Sequence, residues 1–206
     1  MSGLLSKHHD DSLYYECLAK IILESRFKNL KFEVLDKPDL QDEENEIGVE
    51  VTQILPSGCN QALSLMQKER NIDGKLSDSG YKVPMAGILF HPSKSWTIGN
   101  PFPAFDYLVS GIQKKINKVK MYKNGYNEID LYVFTDNLEI DIETLQVLFK
   151  KILEINTNAF NNIFIDARYK IFHLKKEYAG KYEIDKELYT RYQKEAIKME
   201  EDIKNE

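Results

Sequence analysis

A single acidic residue inside an apolar strand pattern constrains this chain more than any other feature. Between Lys37 and Gln53, the apolar β-branched residues Ile47, Val49 and Val51 alternate with Gly48, Glu50 and Thr52. Alternation with a period of two predicts a β-strand, in which Glu50 and Thr52 share one face and the valines share the other. A glutamate within such a strand costs free energy unless a second group pairs with it. The strand pattern therefore predicts a partner for Glu50.

A second carboxylate, Asp39, lies upstream in a Pro38-Asp39 turn, and a short acidic connection links it to the strand. A hairpin at this connection would bring Asp39 beside Glu50. The acidic residues between them are expected to form a solvated hairpin tip, namely Asp42, Glu43, Glu44 and Glu46. Two carboxylates that converge at a strand end are hard oxygen ligands, which suit Mg²⁺ or Mn²⁺. The segment therefore predicts a divalent-metal site built on Asp39 and Glu50.

Pro38-Asp39 followed by Glu50-Val51-Thr52 resembles the motif of the PD-(D/E)XK, or restriction-endonuclease-like, nuclease superfamily. The resemblance implies that Asp39 and Glu50 bind Mg²⁺ or Mn²⁺, with the backbone carbonyl of Val51 as a further ligand. It also implies hydrolysis of phosphodiester bonds in nucleic acid, with DNA favoured over RNA. The family carries a lysine two residues after the second acid, where it assists the attacking water. Thr52 occupies that catalytic position here, so the active-site motif is degenerate.

The resemblance raises two further roles, each with more than one candidate. A displaced lysine is either Lys68, on a helix predicted over residues 60–70, or Lys115, on the long helix that follows. Lys68 also fits an ordinary surface lysine. An extra acid on the first helix is either Glu16, which matches the family in position, or Glu24, which borders the apolar stripe of that helix. Both glutamates also fit solvated helix charges.

The long helix, predicted over residues 105–122, carries the strongest local basic feature of a chain whose net charge is −5. Its apolar stripe is formed by Leu108, Ile112, Ile116 and Val119. The other sides of the helix carry Lys114, Lys115, Lys118 and Lys120. Two readings remain open for these lysines: a surface that contacts the phosphate backbone of nucleic acid, or a solvated helix face.

The order of predicted elements indicates a three-layer α/β fold of the restriction-endonuclease-like type, with a central mixed sheet flanked by helices. The strands are predicted over residues 31–35, 47–54, 85–91, 129–134, 163–165 and 170–173. Helices are predicted over residues 12–27, 60–70, 105–122 and 141–155. Residues 1–183 are expected to form a single nuclease-like domain, with an irregular insertion at 72–104. A C-terminal helix over 184–206 either packs on this domain or supports a homodimer.

Composition and missing motifs narrow the classes of function. No run of residues approaches a membrane span, and the two cysteines, Cys17 and Cys59, have no CxxC spacing. These features predict a cytoplasmic protein with reduced thiols and no membrane partner. The sequence lacks a phosphate-binding glycine-rich loop, zinc-ligand spacing and a GxSxG motif, which argues against NTPases, zinc enzymes and α/β-hydrolases.

Three hypotheses about function remain. The first is a metal-dependent nuclease with a degenerate active site. The second is a catalytically inactive module of the same fold that binds nucleic acid or protein, and Thr52 favours it. The third is an unrelated α/β interaction protein that dimerises through its C-terminal helix.

Overall fold

The computed structural model describes residues 12–54, 81–82, 88–90, 97–98, 106–119, 125–135, 142–156 and 158–205. The described helices are α1 (Ser12–Arg26), α2 (Asp106–Val119), α3 (Ile142–Ile155) and α4 (Lys186–Asn205). The strands are β1 (Glu33–Val34), β2 (Leu40–Asp42), β3 (Ile47–Gln53), β4 (Tyr81–Lys82), β5 (Ile88–Phe90), β6 (Thr97–Ile98), β7 (Glu128–Phe134), β8 (Asn162–Ala167), β9 (Lys170–Lys175) and β10 (Tyr178–Glu183). None of the described helices is both long enough and apolar enough to cross a lipid bilayer.

The chain divides into two compact units. One unit comprises Met1–His9 and Leu55–Ser110, and its described strands form an antiparallel sheet in the order β4-β5-β6. The other unit comprises Asp10–Ile54 and Gly111–Glu206. It contains a sheet of seven strands in the order β1-β2-β3-β7-β8-β9-β10. The candidate site described below belongs entirely to this second unit.

The seven-stranded sheet is mixed, and its central strands are parallel. β3 pairs with β7, and β7 with β8, in parallel register, which places Glu50 opposite Leu131. The strands on either side pair antiparallel: β1 and β2 next to β3, and β9 and β10 next to β8. β7 is buried from Ile129 to Phe134, as expected for a parallel strand covered on both faces. The predicted α/β class with a central mixed sheet is confirmed.

Helices lie against both faces of this sheet. Residues of α1 and α4 share one apolar core with alternate residues of the central strands, including Val49 and Tyr132. On the opposite face, the ring of Phe149 in α3 packs edge-on against Phe172 of β9, with centroids 5.8 Å apart. Since successive side chains of a strand point to opposite faces, Glu50 lies on the face away from α1 and α4.

The C-terminal helix α4 packs on the sheet unit itself. Tyr189 and Ala196 are buried in the core that α4 shares with α1. The helix begins after Asp185, whose carboxylate accepts hydrogen bonds from the amides of Glu187 and Leu188 at 2.8 and 3.2 Å. Such a cap satisfies amides that lack partners within the helix. Of the two roles predicted for this helix, packing on the body is therefore the one observed.

Two strands of the large sheet were absent from the predicted elements. β10 is an edge strand whose residues are mostly exposed, so it lacks the apolar alternation that identifies a strand. β2 lies within the segment predicted to be a turn and a solvated tip. That prediction is wrong for Asp42, which is 2% exposed and accepts hydrogen bonds from the amides of Lys31 and Asn45 at 2.8 and 3.0 Å.

Candidate metal-binding and catalytic site

Asp39 is held against β3 by the way the β2–β3 hairpin begins. β2 starts at Leu40, which pairs with Val49, so the hairpin ladder stops before it reaches Val51. The Asp39 carboxylate takes over there, and its Oδ2 accepts a hydrogen bond from the amide of Val51 at 2.7 Å. A backbone amide at the end of a ladder needs an acceptor, and Asp39 supplies one. The contact fixes the acid beside the segment that carries Glu50.

The turn before Asp39 packs closely on β3 because residue 48 is glycine. Pro38 is buried, and a Cβ atom at Gly48 would clash with Cγ of Pro38. Gln41 secures the same turn by donating a hydrogen bond from Nε2 to the Pro38 carbonyl at 2.9 Å. Gly48 is thus a positioning residue for Asp39. In the sequence, Gly48 is only one position of the strand pattern, so this positioning role was not predicted.

Glu50 has the partner that its burial requires. Its side chain is 7% exposed, and its Oε2 lies 3.3 Å from the ammonium nitrogen of Lys115 in α2. The same ammonium donates to the carbonyl oxygen of Val51 at 3.4 Å. α2 approaches the end of β3 at Gly111, where a Cβ atom would come within 2.7 Å of the Ile54 side chain. The structure thus places the Lys115 ammonium beside the two acids.

The electrostatics of the two acids reflect their proximity. Burial raises the pKa of Glu50, the negative charge of Asp39 raises it further, and the ammonium of Lys115 lowers it. Burial also raises the pKa of Asp39, which the Val51 amide and the Lys115 charge counteract. For both acids the net direction is upward. A pair of acids with raised pKa values favours an additional positive charge between them.

The oxygen atoms of this site suit a hard divalent cation. Glu50 Oε2 and the Val51 carbonyl oxygen already converge on one cation, the Lys115 ammonium. Asp39 adds a second carboxylate close enough to influence Glu50. Within the described part of the chain, no group of three or more histidine, cysteine, aspartate or glutamate side chains is placed to hold a metal. The candidate donors here are two carboxylates and one carbonyl, and water would have to complete an Mg²⁺ or Mn²⁺ shell.

Thr52 and Gln53 lie where the strand pattern places them. Thr52 follows Glu50 by two residues in β3 and so shares its face, and it is partly buried. Gln53 points to the other face, where its Nε2 lies 2.6 Å from the hydroxyl of Tyr15 in α1. A hydroxyl at position 52 provides no positive charge. Among the described residues, the cation that forms an ion pair with Glu50 is Lys115.

The two candidates for an extra acid differ in their surroundings. The Glu24 carboxylate binds the Lys20 ammonium at 2.5 Å and the Phe32 amide at 2.7 Å, so it fastens α1 to the segment before β1. Glu16 is partly buried on α1. Burial raises the pKa of the Cys17 thiol, and the negative charge of Glu16 adds to that rise. The charges with the largest effects on the pKa of Glu50 are instead those of Asp39 and Lys115.

The structure describes two of the four remaining candidate lysines. Lys114 and Lys118 are exposed on α2. The charge of Lys118 lowers the pKa of Glu50, but less than the charge of Lys115 does. Lys68 and Lys120 lie outside the described residues. The basic surface therefore adjoins the acidic site through α2.

Neither a family model, a curated protein nor a solved structure matches this chain. Function is therefore inferred from the geometry of Asp39, Glu50, Val51 and Lys115.

Proposed function

We propose that this chain is a metal-dependent nuclease of the PD-(D/E)XK, restriction-endonuclease-like type, in which Lys115 supplies the lysine that position 52 lacks. One observation carries the proposal: the Lys115 ammonium lies 3.3 Å from Glu50 Oε2. The motif requires an ammonium beside the second acid, and a lysine from α2 meets that requirement from a different element. The order of helix, antiparallel strands, helix and parallel strand also agrees with the general plan of that fold.

The proposed roles follow from the chemistry of each group. Asp39, Glu50 and the Val51 carbonyl would hold Mg²⁺ or Mn²⁺, which would lower the pKa of a bound water and stabilise charge on the phosphate. Lys115 would orient the attacking water and offset negative charge that develops on the phosphate. Lys114 and Lys118, exposed on the same helix, would contact the phosphate backbone of DNA.

The experiment is a cleavage assay on single- and double-stranded DNA and RNA with Mg²⁺, with Mn²⁺ and with a chelator. Wild type should cleave only with metal. Asp39→Asn, Glu50→Gln and Lys115→Met should each lower the rate by roughly a hundredfold or more, since each removes a group that acts on the reacting atoms. The matched control is Lys194→Met, which removes one exposed lysine from α4 and should leave the rate unchanged.

The outcomes separate the proposal from its alternatives. Metal binding without cleavage of any substrate would support an inactive module that uses the same fold. Absence of both metal binding and cleavage would leave an interaction protein as the explanation. A contaminating nuclease would cleave equally in every variant preparation, so equal rates across the variants would also contradict the proposal.

A further inference from the structure

The Lys115 ammonium contacts the same oxygen atoms that the proposed function assigns to a metal ion. It lies 3.3 Å from Glu50 Oε2 and 3.4 Å from the Val51 carbonyl oxygen. Two of the three protein donors of the proposed shell are therefore already engaged by a positive charge. Asp39 is the third donor. Burial raises its pKa, and the charge of Lys115 counteracts part of that rise, as does the Val51 amide.

We propose that Lys115 is a built-in competitor of the metal ion: it neutralises the acids in the metal-free protein and leaves Glu50 and Val51 when a divalent cation binds. This inference rests on the proposed metal site and adds a regulatory property to it. Lys115 would thus hold two positions in one cycle, the first against the acids and the second toward the water and the phosphate.

Electrostatics makes joint occupancy of these oxygens unfavourable. Mg²⁺ holds its oxygen ligands at about 2.1 Å. An ammonium at hydrogen-bond distance from the same oxygens would then lie a few ångströms from a divalent charge, in surroundings where Glu50 is almost fully buried. Repulsion between such charges is strong when water does not screen them. Lys115 must therefore move when the metal site is filled.

The location of Lys115 permits that movement. Its side chain is 22% exposed, so part of it already faces solvent. A lysine side chain also has four carbons of flexible stem, which lets the charge move without a shift of the helix. The preceding turn of α2 packs closely on Ile54 at Gly111, which favours a fixed helix. The movement is thus confined to one side chain.

Calorimetric titration with Mn²⁺ tests this competition. Lys115→Met removes the competitor and keeps a side chain of similar length, so it should bind Mn²⁺ about tenfold tighter than wild type while its cleavage rate falls. The matched control is Lys114→Met, which removes the neighbouring exposed lysine of α2 and should change the affinity less than about twofold. All titrations should be run near pH 8. Loss of the Lys115 charge should raise the pKa of Glu50, and at lower pH protons would compete with the metal for its carboxylate.

Each outcome of the titration has a separate meaning. Equal affinity of wild type and Lys115→Met would overturn the competition and leave the proposed nuclease intact. Weaker binding by Lys115→Met would also overturn it. Absence of Mn²⁺ binding by all three proteins would overturn the proposed metal site together with the inference.

A second measurement uses the unaltered sequence, in case Lys115→Met does not fold. Reductive methylation with carbon-labelled formaldehyde places a magnetic resonance label on each lysine while keeping its charge. Addition of Mg²⁺ should shift the Lys115 signal toward the position of a solvated lysine and leave the Lys114 signal in place. A Lys115 signal that does not move while Mg²⁺ binds would overturn the inference.

Discussion

The Lys115 ammonium lies 3.3 Å from Oε2 of Glu50, although the two residues are 65 positions apart in the sequence. The contact joins the buried acid of β3 to the helix that carries most of the predicted basic surface. It gives Glu50 the counter-charge that its burial demands, and under the proposed function it supplies the lysine that position 52 lacks. Both consequences can be measured separately, one through stability and the other through catalysis.

Because Lys115 neutralises a buried charge, we expect a favourable coupling free energy between Glu50 and Lys115 in metal-free buffer. Lys115→Met leaves the Glu50 carboxylate buried without its counter-charge, whereas the double variant with Glu50→Gln removes both charges together. The coupling free energy from the four unfolding free energies should be on the order of 1–2 kcal/mol. Denaturant unfolding of wild type, both single variants and the double variant measures it. A coupling near zero would indicate that the contact is too solvated to matter.

A second prediction concerns pH and a polar cluster on the opposite face of the sheet. Asp166 is fully buried, and its Oδ2 accepts hydrogen bonds from the hydroxyls of Tyr132 and Tyr189 at 3.0 and 3.1 Å. Burial raises the pKa of Asp166 to about 8, although the two hydroxyl groups counteract part of that rise. Because the folded state holds this proton more tightly than the unfolded state does, stability should fall as the pH rises from about 4 to about 8.

Asp166→Asn tests this dependence, since an amide keeps an acceptor for the tyrosines and does not ionise in this range. The variant should lose part of the decline and exceed wild type by on the order of 2 kcal/mol near pH 8. Denaturant unfolding at several pH values gives both curves. Parallel curves for the two proteins would show that the Asp166 carboxyl ionises as easily in the folded chain as in the unfolded one.

A third prediction separates the exposed lysines of α2 from Lys115. Lys114→Glu with Lys118→Glu should weaken DNA binding in the absence of metal by roughly tenfold or more, and should flatten the dependence of log K on log salt by about two. The control pair, Lys194→Glu with Lys198→Glu on α4, makes the same change in net charge on exposed positions. Fluorescence anisotropy at several salt concentrations measures both effects. Identical slopes for the two pairs would favour a solvated helix face.

The strand with Glu50 was predictable from the sequence because a pattern with a period of two is a local property. The partner of Glu50 was harder to identify, because it depends on how α2 packs. Lys115 follows Ile112 by three positions, so it borders the buried stripe of the helix, whereas Lys114 points away from that stripe. This spacing favours Lys115 over its neighbour as the residue near the sheet. It does not reveal which strand end the helix meets.

The sequence contains only weak signals for the close approaches that position the acids. Gly48 and Gly111 each let another segment come nearer than a side chain would allow, yet a glycine in a strand or a helix has several possible causes. The burial of Asp42 also escaped prediction, because its partners are backbone amides that any residue carries. Local patterns thus predicted the elements, and long-range packing determined which side chains meet.

The last prediction concerns the lysine itself and asks whether its position in the sequence matters. In Lys115→Met at saturating Mn²⁺, cleavage should fall by roughly a hundredfold. Addition of Thr52→Lys should restore about tenfold of that loss, because residue 52 shares the face of Glu50 and an ammonium there can reach the same water. The control is Gln53→Lys in the same background, which adds the same charge on the opposite face, where Gln53 contacts Tyr15. Recovery by Thr52→Lys alone would support a lysine that acts at the reacting atoms, and equal recovery by both would reduce its role to general charge attraction.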